Sequence, residues 1–96
     1  MSKSQRVIHK YHFPSQVARH YVLMPGWIEP LAFQIQHGVP TLWYLLHLNG
    51  LPLDYEFDLV FTGDRYDESD EEQYEYIGTA QDGDIVWHLF QVKATP

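Results

Sequence analysis

Hydrophobic residues recur with a period close to two along almost the whole chain, and that property alone excludes a helical bundle. Val7, His9, Tyr11 and Phe13 alternate with Ile8, Lys10 and His12. Successive side chains of a strand point to opposite faces, whereas a helix repeats near 3.6 residues. The same alternation returns in Leu31, Phe33 and Ile35 against Ala32, Gln34 and Gln36, and in Tyr55, Phe57, Leu59 and Phe61 against Glu56, Asp58 and Val60. Two further runs, Thr41 to Leu48 and Asp84 to Val92, are apolar on both faces, the pattern of strands covered on both sides.

Turn chemistry divides these runs. Pro14-Ser15, Pro25-Gly26, His37-Gly38-Val39-Pro40, Asn49-Gly50 with Pro52, and Asp82-Gly83 each place glycine, proline or a small polar residue between extended segments. With His20 to Met24 and Tyr74 to Thr79 added, about seven strands are predicted. The expected fold class is mainly β, a small antiparallel β-sandwich or barrel of six to seven strands. One short helix at Ser15 to Arg19, capped by Ser15, is the α+β alternative. The 96 residues, 45% of them hydrophobic, suit one core, so residues 1–96 are expected to form a single domain. A domain this small buries a modest share of its surface, which favours a homo-oligomer.

Charge is distributed unevenly. Residues 1–48 hold Lys3, Arg6, Lys10 and Arg19 against Glu29, whereas twelve carboxylates face only Arg65 and Lys93 from residue 49 onward. Seven of the twelve are Asp64, Asp67, Glu68, Asp70, Glu71, Glu72 and Glu75. Residues 64–73 show neither period nor apolar content and are expected to be an exposed acidic loop. The net charge of −7 argues against direct nucleic-acid binding, which needs a basic surface to displace counterions. An acidic row of this kind instead suits a partner protein with a basic surface.

The chemistry of enzymes is hard to find. The chain has no cysteine, so thiolate nucleophiles and thiolate-held metals are absent. Six histidines are scattered, with His9 and His12 on opposite strand faces, and neither H-E-x-x-H nor an EF-hand loop occurs, so no metal or other cofactor is expected. No Gly-rich phosphate loop or nucleophile elbow is present, and the acidic pairs sit where nothing raises a pKa for acid catalysis. A non-enzymatic role is expected. Met1 to Lys10 lacks the apolar core of a secretion signal, and no apolar run approaches the roughly eighteen residues of a membrane span. The expected location is the cytosol, with no membrane partner.

One alternative site is visible. Thr62-Gly63 and Gly78-Thr79 place hydroxyls and bare amides near strand ends, and with Gln36, Trp43 and Trp87 they outline a shallow ligand pocket. Arg6 and Arg19 are the cations available to a nucleotide there. The bland alternative packs the tryptophans in the core and uses the glycines as turns or bulges.

Several motifs carry a family resemblance in order. They are Ile8-His-Lys-Tyr11, Met24-Pro25, Gln34-Ile-Gln-His-Gly-Val-Pro-Thr-Leu-Trp43, Phe61-Thr-Gly63, Tyr76-Ile-Gly-Thr79 and Val86-Trp-His-Leu-Phe90. Together they resemble a family of short, functionally unassigned proteins of tailed bacteriophages and prophages. The chain departs from that pattern at Phe61-Thr-Gly-Asp64, where members tend to have Gly-Thr-Gly-His, and in the acidic run, where they tend to have a Pro-containing loop. The resemblance implies an accessory protein made in a bacterial host, acting by stoichiometric binding. The leading expectation is an anti-defence inhibitor that uses the acidic surface. The alternatives are a sponge for a small nucleotide messenger and a minor virion or assembly protein.

Overall fold

The computed structural model describes residues 5–48 and 50–95 and contains seven strands and no helix in them. They are β1 Arg6–His12, β2 Arg19–Met24, β3 Trp27–Gln36, β4 Val39–His47, β5 Leu53–Phe61, β6 Glu72–Asp82 and β7 Ile85–Ala94. Two antiparallel sheets face each other in a small sandwich. Sheet A has the order β1-β4-β3 and sheet B the order β2-β5-β7-β6. Residues Ser15 and Gln16 form a turn where a short helix was the alternative. Helix nucleation needs several residues fixed at once, and Pro14 and the strand at Arg19 leave too few. The Asn49-Gly50 turn lies partly outside the described residues.

The alternation of the sequence becomes the inside and outside of each sheet. Leu42, Tyr44 and Leu46 of β4 point inward beside Phe33 and Ile28 of β3, and meet Phe57, Leu59, Met24, Leu89 and Ala80 of sheet B. Phe13, on the crossover from β1 to β2, is fully buried between the sheets. Its ring makes edge contacts with Tyr11, His20, Phe33 and Phe57 at centroid distances of 4.8–6.4 Å. The Ile28 amide donates to the Tyr55 hydroxyl at 3.0 Å, a polar tie from one sheet to the other.

Two glycines fix the close approaches. At Gly26, where the chain passes from sheet B to sheet A, a β-carbon would sit 1.8 Å from the His47 carbonyl oxygen. At Gly78 it would press on the Phe33 side chain, at the bulge where β6 meets β3. The β3–β4 hairpin turns on His37 and Gly38, both at positive φ, the twist a two-residue hairpin loop requires.

The central strand β4 differs from its expected surroundings. Its inner face is buried, but Trp43, Leu45 and His47 on the outer face have no layer above them. Trp43 and Leu45 are half-buried between their neighbours on β1 and β3, whereas His47 is buried, with Trp27 stacked on it at a 3.4 Å centroid distance. Among the described residues no helix is long and apolar enough to cross a membrane.

His20 is buried beside the Phe13 ring. Its Nε2–H donates to the Val17 carbonyl at 2.7 Å, and loss of hydration pushes its pKa below the ordinary 6.5. The neutral ring is the folded form, so the unfolded chain binds the proton more readily. His20 therefore contributes fully above pH 6.5, and its contribution is lost as pH falls through the folded value. The melting temperature of the protein is expected to fall from pH 7.5 to pH 5. A His20→Gln variant, which keeps an N–H donor, is expected to show a shallower fall, read by thermal melts across that range.

Candidate functional site

The acidic run is the best candidate because the topology gives it a task that its composition hides. β5 and β6 are both antiparallel to β7, which lies between them, so they run parallel and the chain must return along the sheet to connect them. Phe61 leaves β5 opposite Trp87 while Glu72 enters β6 opposite Ala94. Seven residues along β7 is about 23 Å at 3.3 Å per residue. Residues 62–71 are thus a strap drawn across the outer face of sheet B; the acidic loop expected at 64–73 is exposed, but it ends at residue 71 because β6 begins at Glu72.

Tyr66 fastens the strap at its middle. Its ring packs on Phe90 of β7 and Tyr74 of β6 with centroids at 5.0 and 5.3 Å, and its hydroxyl donates to Asp58 Oδ2 at 2.8 Å. Val92 is buried although the register puts it on this outer face, opposite Tyr74 and Glu56. The two ends are tied as well. The Asp64 amide donates to the Phe61 carbonyl, the Ser69 amide to the Tyr74 hydroxyl, and the Thr95 amide and hydroxyl to the carbonyls of Glu71 and Asp70.

Beneath the strap lies an ion cluster centred on Arg19. The β2–β5 register sets Arg19 directly opposite Asp58, and the guanidinium grips that carboxylate through Nε and Nη2. It also donates to Glu72 from Nη1 at 2.9 Å and reaches Glu56 at 3.5 Å. Asp58 is only 5% exposed, although it alternates with the inward residues Phe57 and Leu59 of β5. A buried carboxylate is tolerated when a bidentate cation and a further donor satisfy it. Bonds to Asp58 and Glu72 raise the Arg19 pKa, the bond from Arg19 lowers that of Glu72, and burial followed by the bond to Asp58 raises that of the Tyr66 phenol.

The remaining acids of the strap are outward. Asp64, Asp67, Glu68, Asp70 and Glu71 are exposed, and among the described residues their carboxylates make no hydrogen bond or ion pair. Glu72 belongs to the Arg19 cluster and Glu75 to an exposed pair with Lys93 at 2.9 Å. A recess of about 350 Å³ opens between the strap and β2–β5, walled by Arg19, Tyr21, Asp58, Asp64, Tyr66 and Asp67.

The residues of the alternative pocket are placed apart. Thr62 and Thr79 do come together, each hydroxyl bonded to one ring nitrogen of His88 at 2.8 and 2.9 Å, with the Tyr76 hydroxyl 2.6 Å from Thr79. Trp87 turns inward from the same strand and packs on the core and on Phe61. Gln36 and Trp43 lie on sheet A, with Gln36 receiving a hydrogen bond from Lys10 at 2.7 Å. Arg6 is exposed at the start of β1, and Arg19 is held by carboxylates. One small-molecule pocket of all seven residues is not formed, since the body of the sandwich separates them. Among the described residues no group of three or more His, Asp or Glu side chains is placed to hold a metal ion.

Sequence reasoning missed Tyr66 and the Arg19–Asp58 grip. Tyr66 was the one available signal, a lone aromatic inside an otherwise charged run. A family model described as "Domain of unknown function (DUF7352)" matches residues 4–96. No curated protein and no solved structure matches the chain.

Proposed function

We propose that this chain, which belongs to the DUF7352 family of domains of unknown function, is a non-enzymatic binding protein whose acidic strap docks on a basic surface of a partner protein. The observation that carries this reading is the pinned strap with five outward carboxylates. A flexible acidic segment loses conformational entropy when it binds, whereas a strap already tied by Tyr66, Ser69 and Thr95 loses little. Carboxylates not consumed inside the protein keep their full charge for an approaching cation, which speeds encounter and selects against acidic partners. The recess between strap and sheet is lined by both signs, Arg19 and Arg65 beside Asp58, Asp64 and Asp67, so the surface offered to a cation is the outward row of strap carboxylates. In the phage setting that the motifs resemble, the partner is a host protein, and its occupation blunts a defence or regulatory system.

Neutralising Asp64, Asp67, Glu68, Asp70 and Glu71 to their amides, with Glu72 left in place to hold Arg19, tests the reading. The tagged wild-type protein is expected to retain a basic host protein in stoichiometric amount from a bacterial lysate. Retention should weaken steeply as salt rises, because rim charges are screened over about 8–10 Å at physiological ionic strength. The five-fold variant is expected to fold normally and retain nothing. Equal retention by both forms, or retention indifferent to salt, would remove the acidic strap from the function.

A further inference from the structure

Each sheet ends in two edge strands, and an edge strand presents a row of unpaired backbone donors and acceptors that folds commonly guard with charge, proline, bulges or cover. Three of the four edges here are guarded. β1 carries Arg6, Lys10, His9 and His12; β3 carries Pro30 and a bulge and lies against β6; β6 carries a bulge at Tyr76/Gly78 and the carboxylates of Glu72 and Glu75. β2 is not. Its single charge, Arg19, is folded down onto Asp58 and Glu72, and the rest of the strand is His20, Tyr21, Val22, Leu23 and Met24.

The hydrogen-bond pattern shows which backbone groups β2 leaves open. The Leu59 amide donates to the Ala18 carbonyl, so Ala18 and Leu59 form a hydrogen-bonded pair. Such pairs alternate along an antiparallel ladder, which assigns His20, Val22 and Met24 to β5. The N–H and C=O groups of Arg19, Tyr21 and Leu23 then point away from the sheet, and no other backbone group bonds them among the described residues.

We propose that β2 pairs with β2 of a second copy, antiparallel about a two-fold axis at Tyr21, so that two four-stranded sheets become one of eight strands. In that register Tyr21 faces Tyr21 and Arg19 faces Leu23, and every outward group finds a partner. Three hydrogen-bonded pairs exchange two bonds each, six in all. The side chains agree with the backbone. Tyr21 and Leu23 are 72% and 66% exposed on a strand otherwise protected, and pairing lays the two tyrosine rings together and each leucine beside an arginine stem. Repulsion is small, because Glu56 lies next to Tyr21 on β5 and the two copies of Glu56 end about three strand spacings, or 14 Å, apart. That exceeds the screening length of about 8 Å in physiological salt. The pairing is independent of the acidic-strap reading, and it sets two straps on one continuous sheet face.

Analytical ultracentrifugation of the wild-type chain is expected to give twice the 11.3 kDa monomer mass. Tyr21→Pro removes one outward N–H without removing a bond to β5, and Leu23→Lys adds an edge charge; each is expected to give the monomer mass with an unchanged circular-dichroism spectrum. Because the chain has no cysteine, Tyr21→Cys supplies a reading that needs no disruption. Hydrogen-bonded antiparallel Cα atoms lie about 5.5 Å apart, within disulfide range. Mild oxidation is expected to crosslink that variant at least tenfold faster than Ile8→Cys on the β1 edge. A wild-type monomer at every concentration, a dimer that survives both edge substitutions, or equal crosslinking at the two cysteines would overturn the proposal.

Discussion

Arg19→Met is expected to lower the unfolding free energy by about 2–3 kcal/mol and to loosen the strap. The substitution leaves the Asp58 carboxylate buried with the Tyr66 hydroxyl as its remaining side-chain donor. Removing one member of a buried ion pair costs roughly 3–5 kcal/mol, because the other charge stays desolvated. Arg19's side chain is 31% exposed, so water reaches part of the cluster and the lower figure applies. Glu72 and Glu56 are less enclosed and rehydrate, adding little. Urea denaturation gives the energy, and limited trypsin cleavage after Arg65 gives the state of the strap. The double variant Arg19→Met/Asp58→Leu is expected to recover much of the loss, since an apolar pair needs no neutralisation. A single variant as stable as the wild type would mean that Asp58 is satisfied without Arg19.

Phe13→Ala is expected to destabilise the fold by about 3–5 kcal/mol, the range for deleting a buried phenylalanine. Phe13 is fully enclosed, and its ring touches aromatic side chains from both sheets. Its position on the β1–β2 crossover matters as much as its size. The backbone there passes between sheets and is tied by the Phe13 amide to the Pro40 carbonyl at 2.9 Å, so the walls of the cavity cannot readily collapse. A domain of this size holds only about 5–15 kcal/mol, so the variant loses a large fraction of its margin. Phe13→Leu, which restores most of the volume, is expected to cost under about 1.5 kcal/mol. Equal losses in the two variants would place the effect in backbone strain, away from packing.

The strands were legible because each writes its own alternation. Tyr55, Phe57 and Leu59 turn inward, and Phe33 and Ile35 do so from β3. Asp82-Gly83 and His37-Gly38 marked their hairpins through residues that tolerate positive φ. Leu31 reads as part of an inward set in sequence, yet it is exposed at the bulge beside Pro30, because one extra residue shifts the face. The candidate site was half legible. Its carboxylates were evident, but their division into exposed strap acids and the buried Asp58 with its partner Glu72 was not.

The sequence by itself determined a mainly β chain of six to seven strands, with a short helix at Ser15 to Arg19 left open, the positions of most of its turns, and an acidic second half. Tertiary structure alone decided that β7 inserts between β5 and β6, and this converts residues 62–71 into a strap across a sheet. It alone set Arg19 opposite Asp58, 39 residues away, and left β2 as the unguarded edge. The reason is that alternation and turn propensity are properties of neighbouring residues, fixed by local sterics and side-chain polarity. Strand order and register come from the joint burial of all seven inward faces, and many pairings that satisfy the same local pattern differ only in how that shared core closes.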